Sequence, residues 1–160
     1  MPRLTTDRLR PIVYISGPYR SSKGESGVWD NIMAAREATA WLLAEGFAPI
    51  CPHLNTMLMG GSILPGDPVG EVDVFLEADA ELVRAADAMW RLIGWQQSAG
   101  SLYEIEVAKL HDKPIFDYYF SIRRWIKHWR LDHDLDPHTG LRADSVVLRA
   151  DPAGPAQSAA

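Results

Sequence analysis

Short apolar runs alternate with stretches of helical periodicity along most of this chain, and that alternation limits its fold more than any other feature. Residues 11–16 (PIVYIS) are rich in β-branched and aromatic side chains and stop at Gly17-Pro18, as a short buried strand does. Residues 19–27 read as a glycine- and serine-containing loop. From about 30 to 45, Ile32, Ala35, Ala38 and Leu42 share one helical face, and Gly46 stands where a helix would end. Residues 47–51 form a second strand, 72–86 a second helix, 88–93 a third strand, 101–111 a third helix and 113–118 (KPIFDY) a fourth strand. Strands separated by helices pair in parallel through right-handed crossovers. The expected fold is therefore α/β: a single-domain, doubly wound, mostly parallel sheet of the Rossmann or flavodoxin-like kind, with helices on both faces. Ligands in such sheets bind beyond the carboxyl ends of the strands.

Outside this rhythm, residues 55–70 are rich in glycine and proline and read as a long loop. Residues 121–131 place Trp125 and Trp129 at i,i+4 spacing among basic side chains, which predicts a helix packed on the core or on a partner. The chain divides into a polar leader (1–10), an α/β domain (11–120), a helical C-terminal extension (121–149) and a flexible tail (150–160).

A net charge of -5 argues against a grip on a nucleic-acid polymer, which clustered Lys and Arg provide, but leaves room for a small anion in a local pocket. The single cysteine, Cys51, permits no intrachain disulfide and suits a reducing compartment. No apolar stretch approaches the ~20 residues that span a bilayer, and the leader lacks the charged-then-apolar order of a signal peptide. A cytoplasmic protein without membrane contact is expected. Six tryptophans in 160 residues suggest a subunit interface, and with the family resemblance given below they lead to the expectation of a homodimer or larger symmetric assembly.

The segment 94–104, GWQQSAGSLYE, carries the most chemistry. Ser98 and Gly100 precede a helix, where free backbone N–H groups favour an anion, although capping and turn formation explain each residue separately. Glu104 follows one turn later, where the helix dipole would tend to keep a carboxylate ionised, as a nucleophile requires. The stretch Tyr14-Ile15-Ser16-Gly17-Pro18-Tyr19-Arg20 supplies an opposite wall. Gly17 would allow close backbone approach, Tyr14 or Tyr19 would orient a carboxylate, and Arg20 would pair with phosphate. Asp79, unfavourable inside a helix, and Asp87, at that helix's end, are further candidates. His53, after Pro52 at a strand end, would contact ligand or serve as a hydrogen-bonded structural group. The run Asp132, His133, Asp134, Asp136 and His138 matches no tight metal-ligand spacing and reads as a solvated loop, so no metal is expected.

The ordered set YISGPYR, Asn31 heading a helix, Pro52-His53, DAELVRAAD and GWQQSAGSLYEIEVA resembles the nucleoside 2-deoxyribosyltransferase superfamily. It is similar to that superfamily's compact phage and bacterial members and, more distantly, to 2'-deoxynucleoside 5'-phosphate N-hydrolases. The resemblance covers about residues 12–116. It implies a catalytic set of Glu104, Asp79 and Tyr14, and substrate binding by Gly17, Tyr19, Arg20, His53, Asp87, Ser98 and Gly100, with no cofactor. Pro18-Tyr19 departs from the small-residue loop usual in the hydrolases, and a phosphate-binding serine from a neighbouring subunit has only Ser121 as a counterpart.

The implied reaction is cleavage of the N-glycosidic bond of a nucleoside or nucleotide, with Glu104 attacking C1', Asp79 assisting the base and Tyr14 positioning the nucleophile. Water as acceptor makes a hydrolase and a second base makes a deoxyribosyltransferase; Ser98, Gly100 and Arg20 tilt toward a 5'-monophosphate and hydrolysis. A non-catalytic nucleotide sensor is the competing class.

Overall fold

In the computed structural model, which describes residues 8–57 and 72–142, four of the apolar runs pair into one sheet. The strands are β1 (Ile12–Ser16), β2 (Ala48–Ile50), β3 (Ala88–Arg91) and β4 (Ile115–Phe116). All pair in parallel, in the order β2-β1-β3-β4. The fold is α/β. Five α-helices lie among the described residues: α1 (Glu25–Ala44), α2 (Pro52–Asn55), α3 (Val72–Ala85), α4 (Ala99–Leu110) and α5 (Tyr119–Asp132). None is long and apolar enough to cross a membrane.

Strand alternation sorts the core into two layers. On one face Val13, Ile15, Ala88 and Trp90 meet Ala35, Ala38 and Leu42 of α1 and Ile122 and Ile126 of α5. On the other, Tyr14 and Met89 meet Ala80 and Val83 of α3 and Ile105, Val107 and Ala108 of α4. The chain leaves β1 toward β2 on one side, and β3 lies on the other. The carboxyl ends of β1 and β3 are therefore the switch point at which such sheets open a crevice.

Several boundaries differ from expectation. Helix α1 starts at Glu25, not near Asp30, because Gly24 at φ 71° turns the chain into it and Gly27 is buried against Ser21; small residues suit a helix start as well as a loop. After β2 the chain forms the short helix α2, with Pro52 in its first turn, before the expected loop, most of which lies outside the described residues. Helix α4 begins two residues early, at Ala99, behind a Ser98 cap. The tail (150–160) and residues 143–149 of the extension also lie outside the described residues.

The extension is tied down by Arg130, which donates from Nη1 to the carbonyls of Pro137 (3.1 Å) and His138 (3.2 Å) and from Nη2 to that of Glu45 (3.3 Å). Arg123 adds two bonds to the Glu45 carboxylate, at 2.8 and 2.6 Å. Trp125 stacks parallel to Phe47 at 6.4 Å, and the largely buried Trp129 stacks on His133. Gly46 sits at φ 93°, and a Cβ there would collide with Arg130 Nη2. Gly46→Ala combines a left-handed backbone with that clash, and we expect a loss of about 1–3 kcal/mol, read as a lowered melting temperature by circular dichroism.

Candidate active site

Three elements converge at the switch point. From β1, Tyr14 and Ser16 share one face of the strand, since they are two residues apart. From α4, Glu104 points back to meet them. The Tyr14 hydroxyl donates to Glu104 Oε1 at 2.9 Å, and the Ser16 hydroxyl donates to Oε2 at 2.5 Å. Glu104 is only 6% exposed, and Tyr14 and Ser16 are fully buried. Asp79 comes from the middle of α3, half-buried, and its carboxylate also feels the Tyr14 hydroxyl.

Burial dominates the electrostatics here. It pushes Glu104 up to about 7, against the lowering effect of the Ser16 and Tyr14 hydrogen bonds, with the nearby Asp79 charge raising it further. Burial likewise pushes Asp79 up to about 6, against the Tyr14 hydroxyl. The expectation that the helix dipole keeps Glu104 ionised is thus corrected: removing the carboxyl from water outweighs the dipole and both hydroxyls. Tyr14 is pushed far up by its own burial and then by Glu104 and Asp79, so its phenol stays a hydrogen-bond donor. Near neutral pH the two carboxyls titrate as a pair, in the range where a proton can be delivered and recovered.

The loop after β1 is fixed from several sides. A Cβ on Gly17 would stand 2.7 Å from the Leu92 side chain, so this glycine serves protein packing. The Pro18 carbonyl lies 3.0 Å from Nε2 of the buried His53, whose ring packs 5.9 Å from that of Tyr19. Burial lowers the His53 pKa, and neutral His53 donates through Nε2–H. Asn31 Nδ2 donates to the carbonyls of Tyr19 (3.1 Å) and Arg20 (3.3 Å). Arg20 itself is exposed.

Other sequence candidates are placed differently. Asp87 does not join the site: its Oδ2 accepts from the Ile12 backbone N–H and from Arg8, each at 2.7 Å, at the amino end of β1. A carboxylate there satisfies the strand's first free N–H, at the opposite end of the sheet from the crevice. Ser98 Oγ caps α4 by accepting from Ser101 N at 3.2 Å. Gly100 lets α4 approach α3, since a Cβ would touch Leu76 at 3.4 Å. Ser121 donates to the Tyr118 carbonyl at 2.7 Å, within its own helix start. Asp136 Oδ1 accepts from the backbone N–H of His138 and Thr139, closing a turn, and no cluster of three metal-ligating side chains occurs among the described residues.

A family model described as a domain of unknown function, DUF7768, matches residues 11–118. The chain belongs to the DUF7768 family. A search of curated proteins finds no match. The matched span of the DUF7768 domain holds Tyr14, Ser16, Asp79 and Glu104, every member of the buried cluster. A groove of about 490 Å³ lies elsewhere, lined by Ala44, Glu45, Phe120, Arg124 and Lys127 among others; its one carboxylate, Glu45, is paired with Arg123 and held low by it.

Sequence reasoning gave no role to Ser16, the shorter of the two bonds to Glu104, although its i+2 spacing from Tyr14 was a usable signal. It also assigned none to Asn31 as the brace of the 19–20 loop, nor to Ser101, whose buried hydroxyl lies one turn before Glu104 without a hydrogen-bond partner.

Proposed function

We propose that the DUF7768 domain of this chain cleaves the N-glycosidic bond of a nucleoside 5'-monophosphate, with Glu104 as nucleophile. The observation that carries the reading is a buried carboxyl gripped by two hydroxyls beside a second carboxyl of raised pKa, at the carboxyl edge of a parallel sheet. Such a pair divides the work of glycoside cleavage: one carboxylate attacks carbon while the other moves the proton.

In the first step a Glu104 oxygen bonds to C1' as the C1'–N bond breaks, and the bonding electrons leave with the base. Asp79 gives the base its proton, from the tautomer of the singly protonated pair in which it, rather than the higher-pKa Glu104, holds that proton. The Tyr14 and Ser16 hydroxyls hold the Glu104 carboxylate in place, which limits the entropy lost on reaching the transition state. In the second step Asp79, now a carboxylate, takes a proton from water as the water oxygen attacks C1', and the C1'–Glu104 bond breaks. Free base and sugar 5-phosphate leave, and both carboxyls return to their starting states. Arg20 and the free N–H groups opening α4 are the groups offered to the phosphate.

A panel of deoxynucleosides and their 5'-monophosphates, followed by liquid chromatography with mass detection, tests the reading. Free base from at least one monophosphate is the expected result. Base exchange only when a second free base is supplied would make the protein a deoxyribosyltransferase. Binding without any free base would leave a nucleotide sensor, and the catalytic proposal would fail.

A further inference from the structure

Arg91 closes β3, and its Cα is in register with that of Ser16, the residue that holds Glu104. Alternation puts the Arg91 side chain on the Met89 face of the sheet, the face that carries Tyr14 and Ser16. The guanidinium is fixed twice. Nε donates to Asp117 Oδ1 at 2.7 Å and Nη2 to Asp117 Oδ2, while the group lies 4.1 Å over the ring of Trp95. The side chain is nonetheless 18% exposed, and no bond from Nη1 exists among the described residues.

This arrangement leaves one edge of a rigid, planar donor unused: Nη1 and the outer N–H of Nη2. Asp117 already cancels the positive charge, so an added anion would meet its repulsion at close range, whereas a neutral carbonyl oxygen would not. A guanidinium edge of this kind matches the paired acceptors of a base that carries an exocyclic oxygen, such as O6 and N7 of a 6-oxopurine. Adenine offers an amino group at the same position, and its N–H would oppose those of Arg91.

We propose that Arg91, locked by Asp117 and Trp95, recognises the carbonyl oxygen of the leaving base and selects oxo-bearing bases over adenine. The inference rests on the N-glycosidase reading for its substrate and names the part of that substrate this residue would read. Donation to the carbonyl would also stabilise the electron pair the base carries off as C1'–N breaks.

The test compares deoxyinosine 5'-monophosphate with deoxyadenosine 5'-monophosphate, a pair differing at the 6-position, on wild type, Arg91→Gln and Arg91→Lys. Wild type is expected to favour the oxo substrate in kcat/KM by about tenfold or more, and Arg91→Gln to bring the ratio close to one. Arg91→Lys, which keeps the charge beside Asp117 but loses the planar edge, should fall between them, and it carries the comparison if the glutamine variant does not fold. An unchanged ratio in the variants, or no preference in wild type, overturns the proposal. If neither nucleotide releases base, the same ratio is read as dissociation constants by calorimetry; the N-glycosidase reading itself fails only if no monophosphate of the panel releases base. A binding preference lost in the variants then upholds the role of Arg91, while equal affinities or no binding overturn it.

Discussion

With Glu104 replaced by glutamine, free-base release under single-turnover conditions is expected to fall by about 10³-fold or more, some 4 kcal/mol of transition-state stabilisation. The substitution keeps the shape of the side chain and its place between Tyr14 and Ser16, but the amide has no electron pair basic enough to bond C1'. Because Glu104 lies inside the α3–α4 layer, a loss of folding could mimic a loss of chemistry. Far-ultraviolet circular dichroism and retained nucleotide binding separate the two. A variant that folds, binds and still turns over near the wild-type rate would remove Glu104 from the mechanism.

The same substitution is expected to stabilise the protein above neutral pH. The folded-state pKa of Glu104 is about 7, above the ordinary carboxylate value near 4.5, so between these limits the folded protein holds a proton that the unfolded chain has released. Glu104 therefore contributes full stability below about pH 4.5, and that contribution is lost as pH rises through 7. Asp79, raised to about 6, acts in the same direction over a lower window. Ionising Glu104 in place carries a cost on the order of 3 kcal/mol, and glutamine never incurs it. Melting curves from pH 5 to 8 should show wild type losing several degrees more than Glu104→Gln, since 1 kcal/mol corresponds to roughly 2–4 °C at this size. Parallel curves would mean that Glu104 is not titrating in a buried site. The expected trade is that the group most needed for chemistry is one the fold would be more stable without.

The strand and helix pattern was legible because burial on both faces of a parallel sheet leaves uninterrupted apolar runs, and all four runs became strands. Ends were less legible: Gly24, Ser26 and Gly27 serve a helix start as readily as a loop, and Pro52 opened a helix that composition alone did not announce. Tyr14, Asp79 and Glu104 were singled out from sequence, and the fold brings them together from β1, α3 and α4. Asp87 misled because chain position cannot say which end of a strand a flanking carboxylate will serve; here it caps the amino end of β1. Arg91 escaped notice because it reads as one polar residue in an apolar run, and its partners Trp95 and Asp117 come from segments that meet only once β3 and β4 pair. The ionisation of Glu104 was misjudged for a similar reason, since the dipole of α4 can be read locally whereas burial depends on the whole α3–α4 layer.

The central claim is a covalent bond between Glu104 and C1' of the sugar. It is tested most directly by mass spectrometry of the intact protein after incubation with a nucleotide fluorinated at the sugar 2-position, which slows the second step more than it prevents the first. A mass gain of one fluorosugar phosphate, mapped by peptide sequencing to Glu104, is the predicted result; base release with no adduct, or with the label on another residue, would contradict it.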